Sequence, residues 1–133
     1  MRIKIYFITL AVFLAIDFVW LTVIAKNIYA DQLGFLMAEN INWIAAILFY
    51  LLFCAGIVTF VIMPSLEKHS SKRCIQLGLL FGLISYATYD LTNLATIKNW
   101  PIMITIIDLI WGSLVTATTA SVSYYLSKRF LIK

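Results

Sequence analysis

Four apolar runs, at residues 5–25, 41–63, 74–97 and 102–126, occupy 93 of the 133 residues of this chain. A helix needs about 20 residues to cross a hydrocarbon layer about 30 Å thick, and every run reaches that length. In lipid the backbone must satisfy its own hydrogen bonds, so apolar runs of this length are expected to be helices. The fold class expected is therefore all-α, an integral membrane four-helix bundle. Too little chain remains outside the runs for a second unit, so residues 1–133 are read as a single transmembrane domain. Composition agrees. The chain is 63% hydrophobic and 12% charged, with a mean hydropathy of +0.98, whereas soluble domains carry about 25% charged residues.

The first run follows Arg2 and Lys4, as a secretory signal would. It is too long for one, Asp17 interrupts it, and no small-residue cleavage site follows. It is read as an uncleaved span. The breaks between runs give the orientation. Arg2, Lys4, Lys68, Lys72, Arg73, Lys128, Arg129 and Lys133 fall on one side, and Lys26 and Lys98 on the other. The positive-inside bias places the N and C termini in the cytoplasm and, in a bacterium, the chain in the inner membrane as a multi-pass protein. Trp43 and Trp100 are expected to anchor the opposite interface, with Tyr29 just beyond the first span. Tyr6, Tyr124 and Tyr125 fall near the cytoplasmic one. Pro64 is expected to end the second span. The stretch between the first two runs carries Leu33, Leu36 and Met37 at helical spacing, and is either a plain connector, a short interfacial helix or a lid over the outer face.

The net charge of +4 is accounted for by topology, and the basic residues form no stripe, so no nucleic-acid partner is expected. Cys54 and Cys74 show no metal-binding or redox spacing and are read as structural. The one histidine, His69, lies in a charged loop and is read as solvated. No cofactor is expected: an axial histidine for haem, a phosphate loop and a dinucleotide fingerprint are all missing from the sequence. No metal motif is present either.

The least economical feature is three carboxylates inside spans. Asp17, Asp90 and Asp108 lie in the first, third and fourth runs, and a charged side chain at mid-bilayer costs about 2.5–3.5 kcal/mol on insertion scales. At 1.5 Å per residue, Asp17 lies about 12 Å before the end of its run, and Asp90 and Asp108 lie about 10 Å from the same surface. Tyr50 reaches about that level from the second run. Helical geometry also groups their neighbours. Gly78, Gly82, Tyr86, Tyr89, Asp90, Asn93 and Thr96 share an arc of about 120°, and Thr105, Asp108, Gly112, Thr116, Thr119 and Ser123 one of about 80°. Small residues on those arcs favour close helix approach, and Gly78 and Gly82 are read as packing positions. Trp20 and Trp111 lie one turn from Asp17 and Asp108.

Two readings follow. The polar groups either tie the helices together, or they line a pocket made of Asp17, Trp20, Tyr50, Tyr86, Tyr89, Asp90, Asn93, Asp108 and Trp111. Interhelical hydrogen bonds in bilayers average about 0.6 kcal/mol, which is poor compensation for three carboxylates, so the pocket is the leading expectation. Carboxylates ringed by aromatics suit a small cationic or amphipathic ligand, and carboxylates that converge titrate as a coupled set. Binding or proton-coupled transport of such a ligand is the leading function, and transport by a bundle this narrow would need a homodimer. The alternatives are an enzyme acting on a lipid or isoprenoid, with Asp90 and Asp108 as acid and base, and an accessory subunit. Catalytic residues cannot be named from the sequence.

The run Tyr86-Ala87-Thr88-Tyr89-Asp90-Leu91-Thr92-Asn93, followed by Lys98-Asn99-Trp100-Pro101, resembles the hallmark of a bacterial family of predicted four-span inner-membrane proteins. So do Asp17-Phe18-Val19-Trp20-Leu21, Tyr29-Ala30-Asp31-Gln32-Leu33-Gly34, Ala46-Ile47-Leu48-Phe49-Tyr50 and Asp108-Leu109-Ile110-Trp111-Gly112. The resemblance covers nearly the whole chain. It implies an inner-membrane location and a shared polar site, and it brings no activity with it.

Overall fold

A computed structural model describes residues 1–132, and Lys133, counted in the basic tail above, lies outside the described residues. Four helices are long and apolar enough to cross a membrane: α1 (Arg2–Leu36), α2 (Trp43–Glu67), α3 (Ser71–Thr96) and α4 (Ile102–Phe130). No strand occurs among the described residues. The helices alternate in direction, so both termini and the 68–70 turn lie at one end, the terminal end. The connections at 37–42 and 97–101 lie at the other, the distal end.

The helix starts have local causes. Asn42 and Ser70 cap α2 and α3, their side-chain oxygens accepting hydrogen bonds from the Ala45 and Arg73 amides at 3.2 and 3.1 Å. Such a cap satisfies an amide that the first turn leaves free. His69 and Asn99 turn the chain with positive φ of 49° and 63°, and Asn is among the residues that tolerate this region best.

Two helices differ from the lengths expected. The stretch read as a connector or separate interfacial helix is neither: α1 runs on through Leu36, by a π-helical turn at Trp20–Ile24, an α-helical segment at Ala25–Leu33 and a final 3₁₀ turn at Gly34–Leu36. Nor does Pro64 end α2, which continues to Glu67. A proline inside a helix cannot donate to the carbonyl four residues earlier, and its ring collides with it. Here the turn just before it, Val58–Ile62, is π-helical, and the wider turn takes up the clash.

Packing is uneven. The closest pair is α3 with α4. A β-carbon on Gly78 would lie 2.7 Å from the Ala117 α-carbon, and one on Gly82 would lie 2.2 Å from the Gly112 carbonyl oxygen. The helices meet backbone to backbone because these positions have no side chain. Along that seam Thr105, Asp108, Gly112, Thr116, Thr119 and Ser123 of α4 are all buried. On α1, packing falls against both α4 and α2. By contrast α2 approaches α3 chiefly through Val58–Ile62 and Met63–Glu67, near the terminal end. There Ile57, Val61, Ile62, Cys54, Cys74, Val115 and Tyr124 form a continuous core with Ile5 and Phe13. Both cysteines are free and buried. Toward the distal end the Trp43–Ile57 part of α2 keeps company with α1 and stands off from α3 and α4.

Candidate functional site

The gap left by that stand-off is a cavity of about 460 Å³. Its acidic wall is Asp17 from α1 and Asp108 from α4, and its aromatic wall is Trp20, Tyr29, Tyr50, Tyr86, Tyr89 and Trp111. Leu21, Phe49 and Ser85 complete the lining, which contains no basic side chain.

Each lining carboxylate is held by a tyrosine from another part of the chain. The Tyr50 hydroxyl of α2 donates to Asp17 Oδ2 at 2.6 Å. The Tyr29 hydroxyl, on the distal extension of α1, donates to Asp108 Oδ1. Hydrogen bonds to a charged partner are worth about 1.5–3 kcal/mol each, comparable with the cost of placing a carboxylate in the bilayer. Trp20 and Trp111 stack with ring centres 4.2 Å apart and planes 9° from parallel. The Trp111 indole lies on the Asp17 side, although its N–H has no hydrogen-bond partner among the described residues. Tyr86 can lie flat on α4 because of Gly112, where a β-carbon would come within 2.2 Å of the Tyr86 ring. That places Tyr86 among Asp17, Asp90 and Asp108.

Of the residues expected on one pocket wall, Asp17, Trp20, Tyr50, Tyr86, Tyr89, Asp108 and Trp111 are on it, and Asp90 and Asn93 are not. Asp90 is fully buried behind Asp108. It neighbours Asp108, and neither of its carboxyl oxygens has a hydrogen-bond partner among the described residues. Regular helical geometry puts Asp90 on the α4-facing side of α3, and the tight seam there leaves no open space in front of it. Asn93, one turn further on, sits half-buried beside Tyr89. Two neighbouring carboxyls can hydrogen-bond to each other only when one of them carries a proton.

Sequence reasoning misses Tyr29, Leu21, Phe49 and Ser85. For Tyr29 it gives an interface aromatic, whereas the side chain reaches Asp108. Trp100 also departs from the interface anchor expected of it. It is only 8% exposed, its indole N–H donates to Thr105 Oγ1 at 3.0 Å, and it meets Tyr89 edge-on at 5.8 Å. Trp43, with the same expectation, is 65% exposed. Tyr6 ties helices together, its hydroxyl donating to the Leu51 carbonyl at 2.9 Å, and Tyr124 belongs to the core. Among the described residues no group of three His, Cys, Asp or Glu side chains is placed to hold a metal ion.

The arrangement sets two carboxylates against aromatic faces of the kind that cover an organic cation. No curated protein matches the chain, and no solved structure does. The family described as predicted membrane protein (DUF2177) matches residues 2–125, so this multi-pass, four-helix chain belongs to that family.

Proposed function

We propose that the cavity binds a small organic cation, or the cationic head of an amphipathic molecule, and that binding is coupled to proton movement through Asp108 and Asp90. The observation that carries this reading is the pairing of two tyrosine-held carboxylates, Asp17 and Asp108, across a cavity walled by the stacked Trp20 and Trp111. A cation beside Asp108 replaces the charge of a proton shared between Asp108 and Asp90, and that proton leaves to the solvent. Cation–π contact adds about 0.5–2 kcal/mol for each well-placed ring.

In this reading residues 1–133 act as one transmembrane domain in a bacterial inner membrane. The basic residues gathered at the terminal end put both termini in the cytoplasm and open the cavity toward the opposite surface. Four helices make a narrow bundle, so movement of a ligand across the membrane uses a homodimer.

Titration of tetramethylammonium into the protein in nanodiscs, followed by calorimetry in two buffers of different ionisation enthalpy, tests the reading. Binding with proton release is expected, and Asp108→Asn should weaken it about tenfold, the loss of one close ion pair at an effective dielectric near 20 being larger than this before solvation is counted. Equal binding by wild type and Asp108→Asn would sink it. Asp90→Asn should abolish pH-driven uptake in proteoliposomes.

A second reading rests on the neighbouring carboxyls of Asp90 and Asp108. Such a pair also serves as acid and base on a lipid or isoprenoid. It predicts a converted lipid without any gradient, which mass spectrometry of the surrounding lipids detects.

A further inference from the structure

Beside the acidic cavity lies a second hollow, about 520 Å³, between α2 and α3. Phe53, Phe60 and Phe81 form much of its surface, and Phe49 and Ser85 belong to both spaces. The two therefore adjoin at that pair of side chains, with a polar chamber on one side and an aromatic channel on the other. The channel exists for identifiable reasons. The Trp43–Ile57 part of α2 stands off from α3, and the rings of Phe53 and Phe81, stacked at 5.5 Å, bridge the gap in place of backbone contact. Gly56 admits the Phe81 ring, since a β-carbon there would lie 2.8 Å from its tip. Leu52 and Phe60, 75% and 62% exposed on the outer face of the bundle, lie either side of the middle of a helix long and apolar enough to span a membrane, and both line the hollow. The channel thus opens sideways at the depth of the hydrocarbon, not toward water.

We propose that this channel is a lateral portal for one hydrocarbon chain, and that the ligand of the acidic cavity is a single-chain or chain-bearing cationic amphiphile that enters from the bilayer. The inference rests on the cation-binding reading above and adds the apolar half of the ligand and its route. Its logic is continuity and charge complementarity. A head drawn to Asp17 and Asp108 lies inside the bundle, and a chain attached to it must go somewhere. Through the gap between α2 and α3 the chain stays in hydrocarbon throughout. Without the gap it would be drawn out of the bilayer, at a loss of about fourfold in binding for each methylene exposed to water. The volume of the channel is of the size that accommodates a small ligand or chain, and only Thr59 and Ser85 in its lining are polar.

The test compares two probes, tetramethylammonium and dodecyltrimethylammonium, on the wild-type protein and on Ala55→Trp/Thr59→Phe in nanodiscs of one lipid composition. Both substituted positions line the channel and neither lines the acidic cavity. Partition of the long probe into the bilayer is common to both proteins, so the difference between them reads the channel. The filled channel should weaken the long probe at least about tenfold, the equivalent of two methylenes forced into water, and leave tetramethylammonium unchanged. That unchanged binding also shows that the variant has folded. Should the double variant lose both probes, Thr59→Phe alone, at an exposed position, is put through the same comparison. Equal weakening of the two probes by Thr59→Phe, or no weakening of the long probe by either variant, overturns the portal and leaves the cavity reading standing. Failure of the wild type to bind either probe overturns the cavity reading itself.

Discussion

The terminal and distal halves of the bundle are built from the same four helices and reach opposite results. In the terminal half α3 and α4 touch at their backbones, because Gly78 and Gly82 face Ala117, Gly112 and Thr116 with nothing between. Bulky residues there, Ile57, Val61, Ile62 and Val115, fill the remaining space. In the distal half α2 is separated from α3 and α4 by rings, and directed bonds join the chain there: Tyr50 to Asp17, Tyr29 to Asp108, Trp100 to Thr105. A bilayer offers helices little hydrophobic reason to associate, so packing and polar contacts decide their spacing. Small side chains give a closed seam. Large ones with polar tips give a chamber whose walls are held at a distance. The seam thus acts as the fixed end from which the distal half of α2 can stand away.

The sharpest way to break this contrast is to put a side chain into the seam. Gly82→Leu places its first carbon within 2.2 Å of a backbone oxygen, and backbone cannot yield as a flexible side chain does. Overpacking a well-filled site costs about 1–3 kcal/mol and occasionally more, and this site belongs at or above the top of that range. Unfolding in mixed micelles should register the loss. Gly34, at the distal end, has nothing within 4 Å of the point where a β-carbon would sit and serves as the control, with Gly34→Ala expected within about 0.5 kcal/mol of wild type. Comparable losses for the two would show that the seam is not what holds the bundle.

Much of the seam and part of the chamber are legible in the sequence. The four apolar runs follow from length alone, and the buried stripe of α4 follows from regular steps of 100° per residue. Tyr29 is not legible because those steps are not regular. It lies twelve residues after Asp17, which at 100° each puts it about 120° away from the Asp17 face. The π-helical turn at Trp20–Ile24 inserts one extra residue, turning everything beyond it back by about 100°. Tyr29 then falls within about 20° of the Asp17 face and its hydroxyl meets Asp108. Nothing local in Trp20-Leu21-Thr22-Val23-Ile24 announces the wide turn. Proline marks the corresponding site in α2, but reads as an end and not as a bulge. Deleting Thr22, an exposed residue within the turn, should restore a regular helix with eleven steps from Asp17 to Tyr29, which is again about 20° from the Asp17 face. Tyr29 should therefore stay on Asp108, and a Tyr29→Phe change made in addition should still cost about 1.5–3 kcal/mol, that of a hydrogen bond to a charged group. No further loss from that second change would mean that the π turn does not set the register.

A smaller effect sharpens the comparison at the distal end. Trp100, expected at the membrane surface, is instead folded into the α3–α4 junction. Its N–H reaches Thr105 Oγ1, and the Thr105 hydroxyl in turn lies 3.5 Å from the Asp90 carbonyl. This small chain of contacts does at the distal end, with polar atoms, what the glycines do in the seam with close approach. Trp100→Phe keeps an aromatic ring against Tyr89 and removes the N–H. A neutral hydrogen bond contributes about 0.5–1.5 kcal/mol net, so a loss of about 1 kcal/mol is expected, with faster amide exchange confined to the 97–105 stretch. An interface anchor would behave differently. Its removal would leave exchange in that stretch untouched and would alter the response to bilayer thickness, because an anchor sets the depth of a helix in the membrane. Measuring exchange in lipids of two chain lengths separates the two roles, and Trp43→Phe, at a 65% exposed position, supplies the anchor pattern for comparison.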